Sequence, residues 1–233
     1  MNAVVVIPTY NEAGHIESLI SQILNFQPKI NILIVDDNSP DGTGRIVDGL
    51  SKKSDRIKIL HRPKKLGFGK AYLEGLCYAL SQSPPYDKVI QMDADFSHHP
   101  KYLNALLEAT EDKDIAIGSR YIAGGRIPDW ELCRRALSRL ANIYVYFWLR
   151  LKVKDCTGGF RCFRREVLDK IGLTTIKSNG YFFQIEVLER CLRLGCSFKE
   201  VPITFTERKE GKTKLRLSDI WEAFCGVLLL HFG

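Results

Sequence analysis

The stretch VIQMDADFSHHP, from Val89 to Pro100, sets two aspartates, Asp93 and Asp95, one residue apart at the end of an apolar run. Neighbouring carboxylates raise each other's pKa and cost free energy unless something positive lies between them. Residues i and i+2 of an extended chain point to the same side, so the pair can converge on one hard divalent cation. Mg2+ or Mn2+ suits oxygen donors, and Mg2+ takes one or two carboxylates together with waters and substrate phosphates. The chemistry indicated is a metal ion bridging to a diphosphate. A solvated loop pair is the bland alternative; the position of the pair at the end of a buried strand favours the metal.

Asp36 and Asp37 end a second apolar run, INILIVDD. A carboxylate there can accept from a ribose hydroxyl or a base N–H, or simply cap the next helix. In PTYNE, Tyr10 can stack on a base and Glu12 can accept from it, although a capped helix start would use the same residues. Three cations complement a diphosphate: Arg120 in GSRY, and Arg208 and Lys214 in TERKEGKTKL. Arginine offers a bidentate fork and lysine a point charge. A basic loop closing over a departing diphosphate would stabilise its charge electrostatically. Singly, each cation also fits an ordinary surface charge.

These groups need a scaffold. AVVVIP, INILIVDD, IKIL, KVIQM and IAIGSRY are apolar runs of strand length. Between them, HIESLISQILNF places Ile16, Leu19, Ile20, Ile23 and Leu24 on one helical face. SPDGTGRIVDGL gives a turn and a helix with Asp41 or Thr43 as cap, GFGKAYLEGLCYAL a helix opened by glycines, and HHPKYLNALLEAT a helix with proline in its first turn. His98 and His99 are expected to shape that helix opening rather than to bind metal. Alternation of strand and helix from Ala3 to Ser119 predicts a parallel sheet covered on both faces. Ligands of such sheets collect beyond the carboxyl ends of the strands, where the polar clusters PTYNE, DDNSPD, DADFS and GSRY all fall. The second half holds a long helical stretch, WELCRRALSRLANIYVYFWLRL, and a glycine turn before a short strand and helix, CTGGFRCFRREVL. A helix stopped by Gly195, strands running into the basic loop, and a final helix from about Leu217 follow.

The chain has 233 residues, 45% hydrophobic and 26% charged, with a formal net charge of +7. That composition excludes a disordered chain and favours anionic partners. The seven cysteines form no C-x-x-C pair and are expected to be mostly small packing groups in a reducing compartment. MNAVVVIPTYNE does not read as a signal peptide, and no segment reaches the roughly 18–20 apolar residues of a membrane span.

The blocks VVIPTYNE, IVDDNSPDGT, KKLGFGKAY, MDADFSHHP, GSRY, TGGFRCFRREVL, GYFFQIEVL and EVPITFTERKEGKTKL occur in this order over nearly the whole chain. Together they resemble the inverting glycosyltransferases of GT-A fold, specifically the dolichol-phosphate (polyprenol-phosphate) mannose synthases. PTYNE and D-x-D are shared by many sugar transferases; DADFSHHP with the final basic loop is more specific. The resemblance implies an α/β, Rossmann-like fold with a mostly parallel central sheet and helices on both faces. It implies a single domain over 1–233, with a nucleotide-sugar half (1–119) and an acceptor half (120–233) that carries the basic loop and a C-terminal interfacial helix. The implied reaction moves mannose from GDP-mannose to a dolichyl or polyprenyl phosphate with inversion, using Mg2+ or Mn2+. By position, Pro8, Tyr10, Glu12, Val35 and Asp37 would hold the nucleotide. Asp93, Ala94 and Asp95 would lie at the metal and diphosphate, with Asp95 the firmest metal ligand. Arg120 would lie between donor and acceptor phosphates, Arg134 at the acceptor phosphate, and Arg208 and Lys214 would reach the donor. Where some members have a Gln ligand two residues after the second aspartate, this chain has Ser97, whose hydroxyl or a water would fill the position.

The lipid acceptor implies a membrane surface, reached peripherally on the cytoplasmic face: endoplasmic reticulum in a eukaryote, plasma membrane in a prokaryote. Some relatives borrow a small transmembrane partner subunit. The segment Trp130–Leu151 and the final helix, with Trp221, Phe224, Val227, Leu228 and Leu230, mix residues as interfacial helices do, and as core helices also do. Two rival readings are a UDP-glucose-dependent polyprenyl-phosphate glucosyltransferase and a non-catalytic nucleotide-sugar or nucleic-acid binding protein. Acids at the strand ends would repel a nucleic-acid backbone.

Overall fold

The computed structural model describes residues 2–128, 130–206 and 217–232, with only the backbone for 217–219. The five early strands form where the apolar runs predict them: β1 (Ala3–Thr9), β2 (Asn31–Asp36), β3 (Ile57–His61), β4 (Lys88–Gln91) and β5 (Ile115–Ser119). They alternate with α1 (Ile16–Phe26), α2 (Thr43–Ser51), α3 (Phe68–Leu80) and α4 (Leu103–Asp112). A 3-10 turn, Pro100–Tyr102, opens α4, and His99 caps it by accepting the Lys101 N–H at Nδ1. The second half adds α5 (Leu132–Leu149), β6 (Arg161–Arg164), α6 (Arg165–Lys170), α7 (Phe182–Arg193), β7 (Phe198–Pro202) and α8 (Leu217–Phe232). The turn after α7 uses Gly195 at φ +78°.

The seven strands make one sheet in the order β3-β2-β1-β4-β6-β5-β7. All neighbours are parallel except β4–β6 and β6–β5, where β6 runs antiparallel. Successive strands step outward from β1 toward β3, whereas β4 lies on its other side. The sheet therefore has its switch point between β1 and β4, whose carboxyl ends open the crevice where such sheets bind ligands.

Side-chain alternation along β1 splits the core in two. Val4 and Val6 join Tyr72, Leu76, Phe163 and Phe183 on one face; Val5 and Ile7 join Ile16, Ile20, Leu103 and Leu106 on the other. Burial on both faces explains why β1, β2 and β5 are apolar through their interiors, whereas the less buried β3 and β7 carry charged residues. Cys156, Cys162 and Cys191 are buried within this core, and burial pushes each thiol up to about 12. Cys133 departs from the expected packing role and is exposed. All seven cysteines are free thiols.

Candidate functional site

β4 is fully buried up to Gln91, and the chain then delivers Asp93 and Asp95 at the carboxyl edge of the sheet. The loop turns sharply at Phe96, φ +60°. Asp95 accepts hydrogen bonds at Oδ1 from Ser97 N–H (3.1 Å) and from Ser97 Oγ–H (2.6 Å), which fix its carboxylate. Asp93 Oδ1 accepts from the Tyr72 hydroxyl on α3 at 2.8 Å. The Asp93 backbone N–H donates to His98 Nδ1 at 3.1 Å. His98 is buried and stacks on Phe160 at 4.9 Å; burial lowers its pKa against the pull of Asp93 and Asp95, so the ring is a neutral acceptor near pH 7. Burial, then the charge of Asp93 and its hydrogen bond, then Asp95, raise the Tyr72 pKa well above 10, so its hydroxyl remains a donor. His98 thus braces the Asp93 backbone as well as preceding the helix that His99 caps.

The donor set fits a hard divalent ion. Among the described residues no group of three or more His, Cys, Asp or Glu side chains is gathered to hold a metal. The chain offers two carboxylates and the Ser97 hydroxyl, all oxygen, so remaining positions would fall to phosphate and water, the habit of Mg2+.

Across the switch point, Pro8 on β1 and Val35 on β2 are register partners. The Val35 side chain is closed into the core, so what it can offer a ligand is its backbone. Asp36 is consumed internally, accepting from Thr9 Oγ–H at 3.0 Å, Ser39 N–H at 3.0 Å and Ser39 Oγ–H at 2.6 Å. Asp37 is paired with the buried guanidinium of Arg62, which is held in turn by both carboxylate oxygens of Glu74 at 2.9 and 3.0 Å. Burial raises the Asp37 pKa, with Arg62 opposing it. Tyr10 lies under the Lys65 ammonium, 3.9 Å from the ring centroid. The loop carrying Tyr10 and Glu12 is tied to the start of α2: Glu12 N–H donates to Thr43 Oγ and Ala13 N–H to Asp41. Asp41 also accepts from Thr43 N–H at 3.0 Å, but the N-cap position of α2 is held by Gly42 at φ +94° with no side-chain cap, so neither Asp41 nor Thr43 is the expected cap.

Beyond β5, Arg120 is 8% exposed and held by Asp155, itself fully buried. Arg120 Nε and Nη2 donate to the two Asp155 oxygens at 2.7 Å each, the Arg120 N–H donates to Asp155 at 2.9 Å, and Nη2 also reaches Thr157 Oγ at 2.8 Å. Burial works against the charged form, but Asp155 and then Tyr121 and Asp93 outweigh it, and the guanidinium pKa rises. Arg120 thus lies within the field of Asp93. The rings of Tyr121, Trp130 and Phe205 surround it, with centroids 5.3–5.5 Å away. A pocket of about 330 Å³ opens here, lined by Arg120, Tyr121, Arg126, Ile127, Arg135 and Arg139 among others. Four arginines, of which Arg120 is already paired with Asp155, give it the charge to suit an anion. Arg134 lies outside that lining and stacks on Trp130 at 4.2 Å.

The structure thus places Asp93, Ala94, Asp95 and Ser97 after β4, Pro8 and Val35 near the carboxyl ends of β1 and β2 with Tyr10, Glu12 and Asp37 following those strands, and Arg120 after β5. Arg208 and Lys214 lie outside the described residues. Sequence reasoning missed Tyr72, Arg62, Asp155 and Trp130. Asp155 opens the DCTGGF turn, whose glycines were its only local signal.

Residues 4–172 match the model of glycosyl transferase family 2. The chain belongs to that family. It is 45% identical over 96% of its length to polyprenol monophosphomannose synthase of Mycolicibacterium smegmatis, covering 84% of that protein. It is 38% identical over 97% of its length to undecaprenyl-phosphate mannosyltransferase of Micrococcus luteus, covering 93%. These relatives bear out the resemblance to polyprenol-phosphate mannose synthases. A solved mannosyltransferase from Pyrobaculum calidifontis, in complex with GDP-Man and Mn2+, superposes with a TM-score of 0.56 at 17% identity, over 99% of this chain and 61% of that one. The family 2 transferase therefore has the expected GT-A fold, a mostly parallel sheet wrapped by helices.

Proposed function

We propose that this glycosyltransferase moves mannose from GDP-mannose to the phosphate of a polyprenyl lipid, with inversion at the anomeric carbon, as a dolichyl- or polyprenyl-phosphate β-mannosyltransferase. The observation that carries the reading is an oxygen-donor acid pair after β4 at the same edge of the sheet as a four-arginine pocket after β5. The named activities of the two bacterial relatives agree with it.

Asp93 and Asp95, with Ser97 orienting the second carboxylate, would hold Mg2+ or Mn2+. The ion, when bound, supplies positive charge to the departing diphosphate. Pro8, Tyr10, Glu12, Val35 and Asp37 take the nucleoside, and Ala94 lies at the diphosphate. Lipid phosphate is already anionic near neutral pH, so the acceptor needs no strong general base. The work left to the chain is alignment and charge: Arg120, rigid in its pair with Asp155, faces both phosphates, while Arg135, Arg139 and Arg126 neutralise the acceptor. Arg134, stacked on Trp130, adds charge toward the acceptor phosphate, and Arg208 and Lys214 reach the donor. In-line attack on an α-linked donor gives a β-linked product. Residues 1–119 act as the donor half and 120–233 as the acceptor half of one domain. The enzyme works as a peripheral protein on the cytoplasmic face, where nucleotide sugars are made; a small membrane subunit is an additional partner of the same surface.

The test incubates the chain with Mn2+, a polyprenyl phosphate and, separately, GDP-mannose, UDP-glucose or UDP-N-acetylglucosamine. Glycolipid is expected from GDP-mannose alone. Product from UDP-glucose instead would transfer the assignment to a glucosyltransferase, and no product from any donor would end it. Asp95→Ala is expected to abolish turnover with the fold retained by circular dichroism; near-normal turnover would remove the metal role.

A further inference from the structure

Gln184, in the first turn of α7, is 1% exposed, and neither Nε2 nor Oε1 has a hydrogen-bond partner among the described residues. A buried amide whose hydrogen bonds are unmade is costly, and such groups are rare in native proteins. No neighbour beneath takes them up. Gln91 and the Nε of Arg161, opposite one another in the β4–β6 register, are likewise without partners among the described residues. Arg161 does fix the backbone of this turn, donating from Nη1 to the Gln184 carbonyl at 2.5 Å. The side chain is therefore held in place with its amide uncommitted.

Its surroundings show where it points. A Cβ on Gly159 would lie 3.2 Å from Gln184 Nε2 and 3.7 Å from Asp93 Oδ1. Gly159 thus faces the Gln184 amide on one side and the proposed donor-binding carboxylate of Asp93 on the other, with no side chain of its own between them. A ligand hydroxyl approaching over Gly159 would accept from Gln184 and donate to Asp93, whose Oδ1 already accepts a hydrogen bond from the Tyr72 hydroxyl.

We propose that Gln184 is a specificity-determining residue that reads a hydroxyl of the transferred sugar against Asp93. This rests on the sugar-nucleotide reading above. A site that buries a polar group until the matching hydroxyl arrives discriminates strongly against ligands lacking it. A neutral amide also adds no negative charge beside Asp93 where an anionic acceptor must approach.

The experiment measures binding of GDP and of GDP-mannose, and kcat/KM, for wild type, Gln184→Met and Gly159→Ala. Methionine keeps the length and removes only the polar atoms; alanine puts a methyl group between the Gln184 amide and Asp93, 3.2 and 3.7 Å from them. Both variants are expected to bind GDP within about twofold of wild type but to lose roughly tenfold or more in GDP-mannose affinity and in kcat/KM. Gln184→Met is expected to melt no lower than wild type, because an uncommitted buried amide contributes nothing to stability. Wild-type GDP-mannose binding and turnover in both variants would overturn the inference and leave the reaction intact. Equal losses for GDP and GDP-mannose would also overturn it. A wild-type chain that binds neither nucleotide would take down the underlying reading, and the inference with it.

Discussion

A guanidinium as deeply buried as that of Arg120 is tolerated because Asp155 accepts two hydrogen bonds from it and a third from the Arg120 backbone N–H. Removing one partner of such a pair strands the other charge, which typically costs about 3–5 kcal/mol. Asp155→Asn is expected to lower the unfolding free energy by about that amount, and to weaken acceptor turnover more than GDP binding. Denaturant titration and steady-state kinetics read the two effects. Burial alone would raise the Asp155 pKa; the charge and hydrogen bonds of Arg120 outweigh it and hold the carboxyl below 3.8. A carboxylate depressed in the folded state stabilises above its unfolded pKa, and that contribution is lost as pH falls through the folded value. The stability gap between wild type and Asp155→Asn should therefore be constant above pH 3.8 and close below it; a gap unchanged into stronger acid would refute the pairing argument. Arg120 was legible in sequence because it ends an apolar strand. Asp155 was not, since its partner lies 35 residues away and pairing at that distance leaves no local pattern. Arg62 escaped for the same reason, although Asp37 itself stood out at the end of β2. Ser97 was visible as a departure from a pattern, but only the geometry shows its hydroxyl spent on orienting Asp95.

Helix α3 carries Tyr72 toward Asp93, and it can do so because it lies very close to the sheet. A Cβ on Gly75 would come within 2.5 Å of Val6 Cγ1 and 2.8 Å of Val35 Cγ2. Gly75→Ala must push the helix away from β1 and β2, and overpacking of this kind costs about 1–3 kcal/mol despite alanine's better helix propensity. Displacing α3 also draws the Tyr72 hydroxyl from Asp93, so kcat/KM is expected to fall together with the melting temperature. A variant that melts as wild type does would show that the contact is relieved without moving the helix. At this scale the sequence was informative about elements and poor about neighbours. Strands β1 to β5 and helices α1 to α4 follow from apolar periodicity, since each has to bury its own face. The insertion of β6, antiparallel, between β4 and β5 does not follow: CTGGFRCF predicts a strand, and its partners are fixed by contacts with Val89 and Ile117 that lie far off in sequence.

The molecule as a whole presents one surface that water alone does not explain. Within α5 only Asn142 and Val145 are buried. Leu132, Leu140, Ile143 and Phe147 are 60–79% exposed and share one side of the helix. Helix α8 extends the surface with Trp221, Leu229 and Phe232, and the two helices are joined by the Tyr144–Phe224 stack at 5.1 Å and by the Tyr144 hydroxyl donating to the Phe224 carbonyl. The sequence left these segments open between core and interface, because apolar content does not say which face a neighbour covers; the packing decides for exposure. No helix of the described residues is long and apolar enough to cross a membrane. The arginine pocket lies at the amino end of α5, so a lipid phosphate held there, as proposed, would leave its hydrocarbon tail free to lie along the exposed apolar side. The peripheral membrane role proposed above would set that side shallowly among lipid headgroups, with the arginines meeting anionic lipid. Sedimentation with phosphatidylglycerol-containing vesicles is therefore expected, weakening as salt screens the arginines but persisting in part through the apolar side chains. Burying an Ile or Phe is worth about 1.5–3 kcal/mol, so Ile143→Asp with Phe147→Asp should reduce vesicle binding by more than about tenfold. GDP-mannose binding in solution should be unchanged, because neither residue touches the donor side. If the double variant sediments as wild type does, the lipid contacts some other face, and the exposed side of α5 belongs to a protein partner instead.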